Sequence, residues 1–184
     1  MATERSFPGF EAPAAGFDEP FEMLAACHER VRRTLNLLER LCAYLAHHAV
    51  DGQARQAAKD VLRYFSMAAP AHHEDEERHI VPVLQRSGDP GLVQAAARML
   101  EDHERIRATW SELEPLLELV VSGNEADTSG LSAATGRFVR LHDSHLALED
   151  ERAFPNARAL HEHADPADLA EMGREMARRR LVQP

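Results

Sequence analysis

The chain has 184 residues, with 21 Lys or Arg against 31 Asp or Glu, so its formal net charge is −10. This length suits one compact domain that buries a core without disulfide staples. The acidic balance argues against general binding to nucleic acid or anionic membranes, because phosphate surfaces attract basic proteins. Ala and Leu dominate the apolar residues, and Ile80 and Ile106 are the only isoleucines, so strand-forming side chains are scarce. The composition predicts an all-α protein.

Residues 1–17 are expected to form an N-terminal extension before the first helix. Glu4 and Pro8 interrupt this stretch, which lacks the apolar segment of a signal peptide. No apolar run in the chain reaches the ~18 residues of a transmembrane helix. Cys27 and Cys42 fall on one predicted helix, about 22 Å apart, and cannot bond to each other. These features favour a cytoplasmic protein.

Capping and turn signals divide the rest of the chain. Asp18-Glu19-Pro20, Asp89-Pro90 and Asp165-Pro166 each combine a capping carboxylate with a proline that fits a first helical turn. Short connections between long helices make neighbours antiparallel. We therefore expect an up-down-up-down four-helix bundle over 18–164 and a short extra C-terminal helix in 165–184. The predicted helices are 19–49, 53–86, 90–121, 130–161 and 166–180.

Apolar residues on the first and third predicted helices recur at alternating spacings of three and four, as on a helix that faces a core. A histidine interrupts each stripe, His28 on the first helix and His103 on the third. The second and fourth helices carry His72 with Glu76, and His145 with Glu149. Buried imidazoles and carboxylates are costly unless they are paired or coordinated.

The second and fourth helices also share a repeat. Each has His-x3-Glu, an acidic residue directly after the glutamate, and a proline six residues beyond it, Pro82 or Pro155. Residues four apart on a helix lean towards one point, so each histidine and glutamate can share a cation. The prolines are expected to end or kink both helices at the same level.

Each feature alone has an ordinary structural explanation. A single histidine on an apolar stripe is more often a hydrogen-bonded core residue than a ligand. One His-x3-Glu is a common surface ion pair, and the acidic run Glu74 to Glu77, apart from Glu76, is typical of a solvated face. Two copies in register, with a stripe histidine on each remaining helix, favour a shared metal site. Its predicted ligands are His28, His72, Glu76, His103, His145 and Glu149.

This ordered set resembles the hemerythrin-like domain of the HHE cation-binding type over about residues 18–160. The resemblance implies a non-haem di-iron centre inside the bundle, which meets O2 or related small molecules. Glu76 and Glu149 would bridge two Fe ions, and the four histidines would be terminal ligands. Imidazole and carboxylate ligands suit iron, although zinc or manganese can occupy the same set. Glu76-x2-His79 also matches a ferritin-like motif, but that fold needs a second copy, which the chain lacks.

The chain departs from the oxygen carriers of this family at one position. These carriers have a second histidine one turn after the third-helix ligand, where this chain has Arg107. A guanidinium is always charged and cannot ligate a metal, which argues against reversible O2 carriage. His73 and His142 are both candidates to complete the set. Arg107 either points inward, where it would stabilise an anionic oxygen species, or forms a surface ion pair with Glu104 or Asp102.

Three functions follow from these residues. The leading hypothesis is a cytoplasmic di-iron protein that senses, stores or detoxifies O2, NO or peroxide. The second is a di-iron oxidoreductase that turns over peroxide or NO. The third is a metal-free helical interaction module. A small diatomic or peroxide ligand is expected in the first two cases, with neither nucleic acid nor membrane as partner, while the sequence leaves the redox partner and the oligomer open.

Overall fold

A computed structural model describes residues 16–124, 127–162 and 166–181, and all regular structure in these ranges is helical. Most of the predicted extension, residues 1–15, lies outside the described part, so the predicted domain boundaries stay predictions. The elements in chain order are α1 (Pro20–Leu45), α2 (Gly52–Arg63), a first π-helical turn (Tyr64–Ala68), α3 (Ala69–His79), α4 (Val81–Gln85), α5 (Pro90–Ser122), α6 (Thr128–Leu148), a second π-helical turn (Glu149–Ala153), α7 (Phe154–Glu162) and α8 (Pro166–Leu181).

Four long members form the bundle. They are α1, the run from α2 to α4, α5, and the run from α6 to α7. Helices α1 and α5 each pack against both α2 and α6, which closes the four members into a ring. The connections between consecutive members are short, so neighbours are antiparallel. This confirms the predicted all-α, up-down-up-down bundle with an additional C-terminal helix.

Aspartate side chains cap the N-termini of three bundle helices. The side chain of Asp51 accepts hydrogen bonds from the backbone N–H groups of the first turn of α2, and Asp89 and Asp127 do the same for α5 and α6. These bonds satisfy donors that the helix itself leaves free. The prediction at Asp89-Pro90 is confirmed. The first helix ends at Leu45, four residues earlier than predicted.

A polar layer separates two apolar cores. On α1, His28 lies between Leu24, which belongs to one core, and Val31, which belongs to the other. His103 on α5 lies in the same way between Met99 and Ile106. The heptad-like stripes therefore continue through the bundle, and the site sits at the level where the two cores meet.

Both helices that carry the His-x3-Glu motif are interrupted near their prolines, within the predicted ranges 53–86 and 130–161. Pro82 has no N–H to donate to the preceding turn, and the helix breaks at Ile80 between α3 and α4. The second π-helical turn immediately precedes Phe154-Pro155, where α7 begins. A π turn adds one residue, a distortion that is frequent at functional sites. The expected interruption near each proline is thus present.

Helix α8 covers the end of the bundle that contains Leu24 and Met99. Met172 and Met176 are buried there. Gly173 lies against the backbone of Phe17, and a Cβ added to it would be only 1.8 Å from the Phe17 carbonyl oxygen. Arg179 and Arg180 both bond the carboxylate of Asp75, which is completely buried. The interpretation of Asp75 as part of a solvated acidic face is therefore wrong, because the last turn of α8 neutralises it. Within the described ranges, no helix has the length and apolar character needed to cross a bilayer.

Candidate metal centre

The six predicted ligands converge in the polar layer. Helix α1 supplies His28, α3 supplies His72 and Glu76, α5 supplies His103, and the fourth bundle member supplies His145 and Glu149. None of the six is more than 2% exposed. Two overlapping groups of donor atoms result, and within each group the atoms all lie within 4.8 Å of one another.

The first group contains His28, His72, Glu76 and Glu149. Glu76 Oε1 lies 3.0 Å from Nε2 of His72 and 3.7 Å from Nε2 of His28. Glu149 Oε2 lies 3.2 Å from the same nitrogen of His28. Glu76 Oε1 therefore faces two imidazole nitrogens and Glu149 Oε2 faces one of them, and together these donors suit a single transition-metal ion.

The other oxygens of the same carboxylates face the second group. Glu76 Oε2 lies 3.3 Å from Nε2 of His103, and Glu149 Oε1 lies 3.1 Å from Nε2 of His145 and 3.8 Å from that of His103. The structure thus places both carboxylates between two clusters of imidazoles. Carboxylates in this position can bridge two cations, as they do in di-iron carboxylate proteins built on helical bundles.

The carboxylate oxygens and histidine Nε2 atoms of the two groups lie close together but form no hydrogen bonds with one another. Within the described residues, all buried side-chain nitrogen and oxygen atoms that lack a hydrogen-bond partner belong to the six predicted ligands and to His142. These include both oxygens of Glu76 and of Glu149 and the Nε2 atoms of the four predicted histidines. Orphaned buried polar atoms cost free energy and are rare in folded proteins, so a cluster of them requires a common partner.

His73 and His142, the two candidates for a further ligand, differ in their surroundings. His73 belongs to the second group together with Glu76, His103 and His145, and its ring stacks on that of His103 with centroids 4.2 Å apart. His142 donates from Nδ1 to the carbonyl oxygen of Phe138 at 2.9 Å and belongs to neither group. The geometry therefore brings only His73 of this pair into a donor cluster of the described chain.

Two acidic residues outside the predicted set orient the histidines. The Nδ1–H of His28 donates to Asp150 at 2.7 Å, and that of His103 donates to Glu77 at 2.8 Å. A carboxylate in this position fixes the tautomer and the ring direction of a metal-binding histidine. The sequence contains a signal for both, because each directly follows a motif glutamate, but the acidic composition around Glu77 predicts a solvated face. The prediction of a solvated face is wrong for Glu77, because its carboxylate accepts a hydrogen bond from buried His103.

A second sequence repeat, which is not part of the predicted ligand pattern, supplies the arginines that bond these two carboxylates. Helix α1 has the sequence HERVR from His28 to Arg32, and α5 has HERIR from His103 to Arg107. Arg32 bonds Asp150, and Arg107 bonds Glu77 at 3.2 Å. Each arginine also pairs with the glutamate three residues before it. The two halves of the bundle therefore build the same His–carboxylate–Arg chain.

This arrangement settles where Arg107 points. Its guanidinium is about half exposed and bonds Glu104 at 2.7 Å in addition to Glu77. The predicted surface ion pair with Glu104 is present, and the inward position is not. Arg107 and His73 also line a cavity of about 100 Å3 whose other walls are mainly apolar.

The carboxylates control the protonation of the imidazoles. Burial lowers the pKa of His28, but Asp150 and Glu149 outweigh it and raise that pKa to about 11. The pKa values of His72 and His103 rise to about 10 in the same way, against the effect of burial. For Glu76, burial raises the pKa, but the surrounding imidazoles hold it well below its usual range. Without a metal, imidazolium charges therefore balance the charge of the two buried carboxylates, but the side-chain geometry gives the carboxylate oxygens no hydrogen bond.

Comparison with known proteins places these residues in a described family. The family model for the "Hemerythrin HHE cation binding domain" matches residues 19–157. A protein of Haemophilus influenzae described as "Uncharacterized protein" is 34% identical over 169 residues, which cover 92% of this chain and 94% of the relative.

Proposed function

The chain belongs to the hemerythrin HHE cation-binding domain family, and on this premise we propose that it is a non-haem di-iron protein that senses, stores or detoxifies O2, NO or peroxide. The family and the His/Glu cluster make it a cation-binding protein of hemerythrin-like type. The identity of the metal, its stoichiometry and the small ligand are parts of the proposal.

One observation carries the proposal. In the described part of the chain, all buried side-chain polar atoms without a hydrogen-bond partner belong to imidazoles and carboxylates, and all of these residues except His142 are members of the two donor groups between the apolar cores. The donors divide into two sets that share Glu76, as a pair of cations requires, and they fit iron, for which mixed imidazole and carboxylate ligation is suitable. Zinc and manganese would fit the same donors, so the experiment must identify the metal.

The two sets are unequal. We assign His28 and His72 to one cation, and His73, His103 and His145 to the other, with Glu76 and Glu149 between them. The first cation would have one histidine fewer and thus an open position for a small ligand. When bound, iron would supply a redox-active site for O2, NO or peroxide at that position.

Other side chains of the protein orient the histidine rings and shield them from water. Asp150 and Glu77 hold the rings of His28 and His103 and keep a proton on their Nδ1 atoms, so that Nε2 is free for a metal. Phe154 stacks on the His28 ring with centroids 4.8 Å apart and helps to keep water away from it. These contacts hold the donor atoms in place before a metal binds.

Sensing, storage or detoxification is preferred to enzymatic turnover for a specific reason. In the enzymatic hypothesis, Arg107 would stabilise an anionic oxygen species, but its guanidinium is bound to Glu77 and Glu104. The hypothesis of a metal-free module leaves the buried carboxylates of Glu76 and Glu149 without a hydrogen-bond donor among the described residues. We also assign the protein to the cytoplasm, where its free thiols Cys27 and Cys42 would stay reduced.

Metal analysis of the purified protein, combined with visible spectroscopy, tests the proposal. After anaerobic loading with Fe(II) and desalting, we expect close to two iron ions per chain and absorption bands that change on exposure to air and to NO. The His48→Ala variant, in which an exposed histidine on the connection after α1 is removed, is the matched control and should bind the same amount. Iron content near zero in the folded protein, or the same content after His72→Ala, would refute the assignment.

A further inference from the structure

Four arginines line a groove between α5 and α6, and none of the groove's lining residues is a candidate metal ligand. We propose that this groove binds a small oxyanion with two negative charges, of the phosphomonoester or dicarboxylate class. The groove has a volume of about 420 Å3, which lies within the range of small-molecule sites. Its arginines are Arg98, Arg105, Arg137 and Arg140.

Two of the arginines are fixed by one buried carboxylate. Arg98 donates from Nε to Asp102 at 2.8 Å, and Arg105 donates from Nη1 to the other oxygen of Asp102 at 3.2 Å. Asp102 is only 1% exposed, so it holds both guanidiniums without being available to a ligand. A guanidinium has five N–H donors, and each arginine uses one of them here. The remaining donors are preorganised at the wall of the groove.

The arginines on the α6 side leave an excess of positive charge. Arg137 bonds Glu112 on α5 at 2.7 Å, whereas Arg140 has no ion pair or hydrogen bond with any described residue. The two carboxylates of Asp102 and Glu112 thus bind three of the four guanidiniums, and the groove keeps an excess of two positive charges. Like charges three residues apart on a helix, such as Arg137 and Arg140, destabilise it. The chain has a net charge of −10, so a local cluster of four arginines is not needed for folding. Such a cluster is explained if the groove binds an anion.

The lining also defines the chemical class. Guanidinium groups match the geometry of phosphates and carboxylates and bond them in pairs. Ala108 and Leu141 supply apolar surface for a short carbon skeleton. The hydroxyls of Thr109 and Ser144 donate to backbone carbonyls and keep their oxygens as acceptors for a ligand hydroxyl. Nucleic acid is disfavoured, because a long polyanion would meet the acidic surface beyond the groove.

Titration calorimetry of the purified full chain tests this site, with inorganic phosphate, glycerol 3-phosphate, succinate and an oligoglutamate peptide as probes. The double variant Arg137→Gln with Arg140→Gln removes the charges on the α6 side. The matched control is Arg174→Gln with Arg178→Gln, which removes two exposed arginines of α8 outside the groove. Circular dichroism verifies that both variants fold, and metal-free and metal-loaded protein are both measured.

We expect one-to-one binding of glycerol 3-phosphate or succinate, and the tighter of the two identifies the class. The Arg137/Arg140 variant should bind at least about tenfold more weakly, as expected when charge-assisted hydrogen bonds are lost, and the control should bind as the wild type does. Saturable binding by none of the small anions, equal weakening in both variants, or tighter binding of oligoglutamate than of either small anion would overturn the proposal. The last result would assign the groove to an acidic protein partner.

Discussion

Glu77 and Asp150 occupy equivalent positions in the two halves of the bundle. Each directly follows a motif glutamate, and each accepts the Nδ1–H of a buried histidine from a different helix. Each is in turn bonded by an arginine that lies one turn after that histidine. The pair ties the His-x3-Glu repeat to the HERVR and HERIR repeat, so one structural rule builds both halves of the candidate centre.

The Asp150→Asn variant is expected to weaken metal binding roughly 10- to 100-fold, the usual effect of removing a carboxylate behind a metal-binding histidine. The amide cannot accept the Nδ1–H of His28 as strongly, so the ring loses its orientation. Competition of the loaded protein with a chromophoric chelator measures the change. Glu151→Gln is the matched control, because Glu151 is the exposed neighbour in sequence. Equal affinities of the two variants would exclude the positioning role of Asp150.

Metal binding is expected to stabilise the fold through the buried carboxylates of Glu76 and Glu149. A cation at 100 times its dissociation constant adds about 2.7 kcal/mol to the free energy of unfolding, which corresponds to a rise in Tm of roughly 5–10 °C for a chain of this size. The double variant Glu76→Gln with Glu149→Gln keeps the side-chain volume and should lose this rise. Anaerobic calorimetric scans with and without Fe(II) measure it. A rise of the same size in the variant would show that the metal stabilises the protein from another site.

Metal affinity should fall as the pH is lowered. The pKa values of His28, His72 and His103 are about 10 to 11 in the metal-free protein, so these rings hold protons at neutral pH that a metal must displace. Binding near pH 7.5 should therefore release protons, up to one from each of the three rings. Calorimetry in buffers with different ionisation enthalpies counts them. Binding that releases no proton would contradict the assigned charge state.

The same shifts predict the pH dependence of the metal-free fold. A histidine whose pKa is raised by folding stabilises the protein fully below its unfolded value of about 6.5, and this contribution disappears as the pH rises through the folded value. With folded values of about 10 to 11, the metal-free protein should lose stability throughout the interval from about pH 7 to pH 10, where the unfolded rings are neutral and the folded rings still hold their protons. Urea unfolding between pH 7 and 10.5 checks this. A free energy of unfolding that rises over this interval would refute it.

His73 and His142 should respond differently to substitution. His73→Ala removes a member of the second donor group, so it should lower the metal content and change the spectrum of the loaded protein. His142→Ala removes a ring that bonds the carbonyl of Phe138 and packs on Phe65, so it should lower stability and leave the metal content unchanged. Elemental analysis and thermal scans separate the two effects. Full metal content in His73→Ala would remove His73 from the ligand set.

The fold was predictable because its signals are local and repeated. The stripes through Leu24, His28 and Val31 and through Met99, His103 and Ile106 are visible at helical spacing, and both histidines lie where the stripes place them. The convergence of the predicted ligands could be inferred because several costly polar residues appeared at one level of a bundle.

The remaining features depend on contacts that the sequence does not show. The π-helical turns change the helical period over five residues each, too few to alter an apolar pattern. The acidic run containing Asp75 has the composition of a solvated face, and its neutralisation comes from Arg179 and Arg180, more than a hundred residues away. The link from Glu77 to His103 likewise joins separate helices.

The buried carboxylate of Asp75 gives the last prediction. Asp75→Ala is expected to reduce the free energy of unfolding by about 3 kcal/mol, because it leaves Arg179 and Arg180 without their shared partner at the junction of α3 and α8. Glu74→Ala removes the neighbouring exposed acid, which pairs only with Arg78 among the described residues, and should cost less than about 1 kcal/mol. Urea titrations of both variants measure the difference. Because Asp75 lies directly before Glu76, the chelator assay should accompany them, and equal losses of stability would show that the contact between α8 and Asp75 does not hold the helix in place.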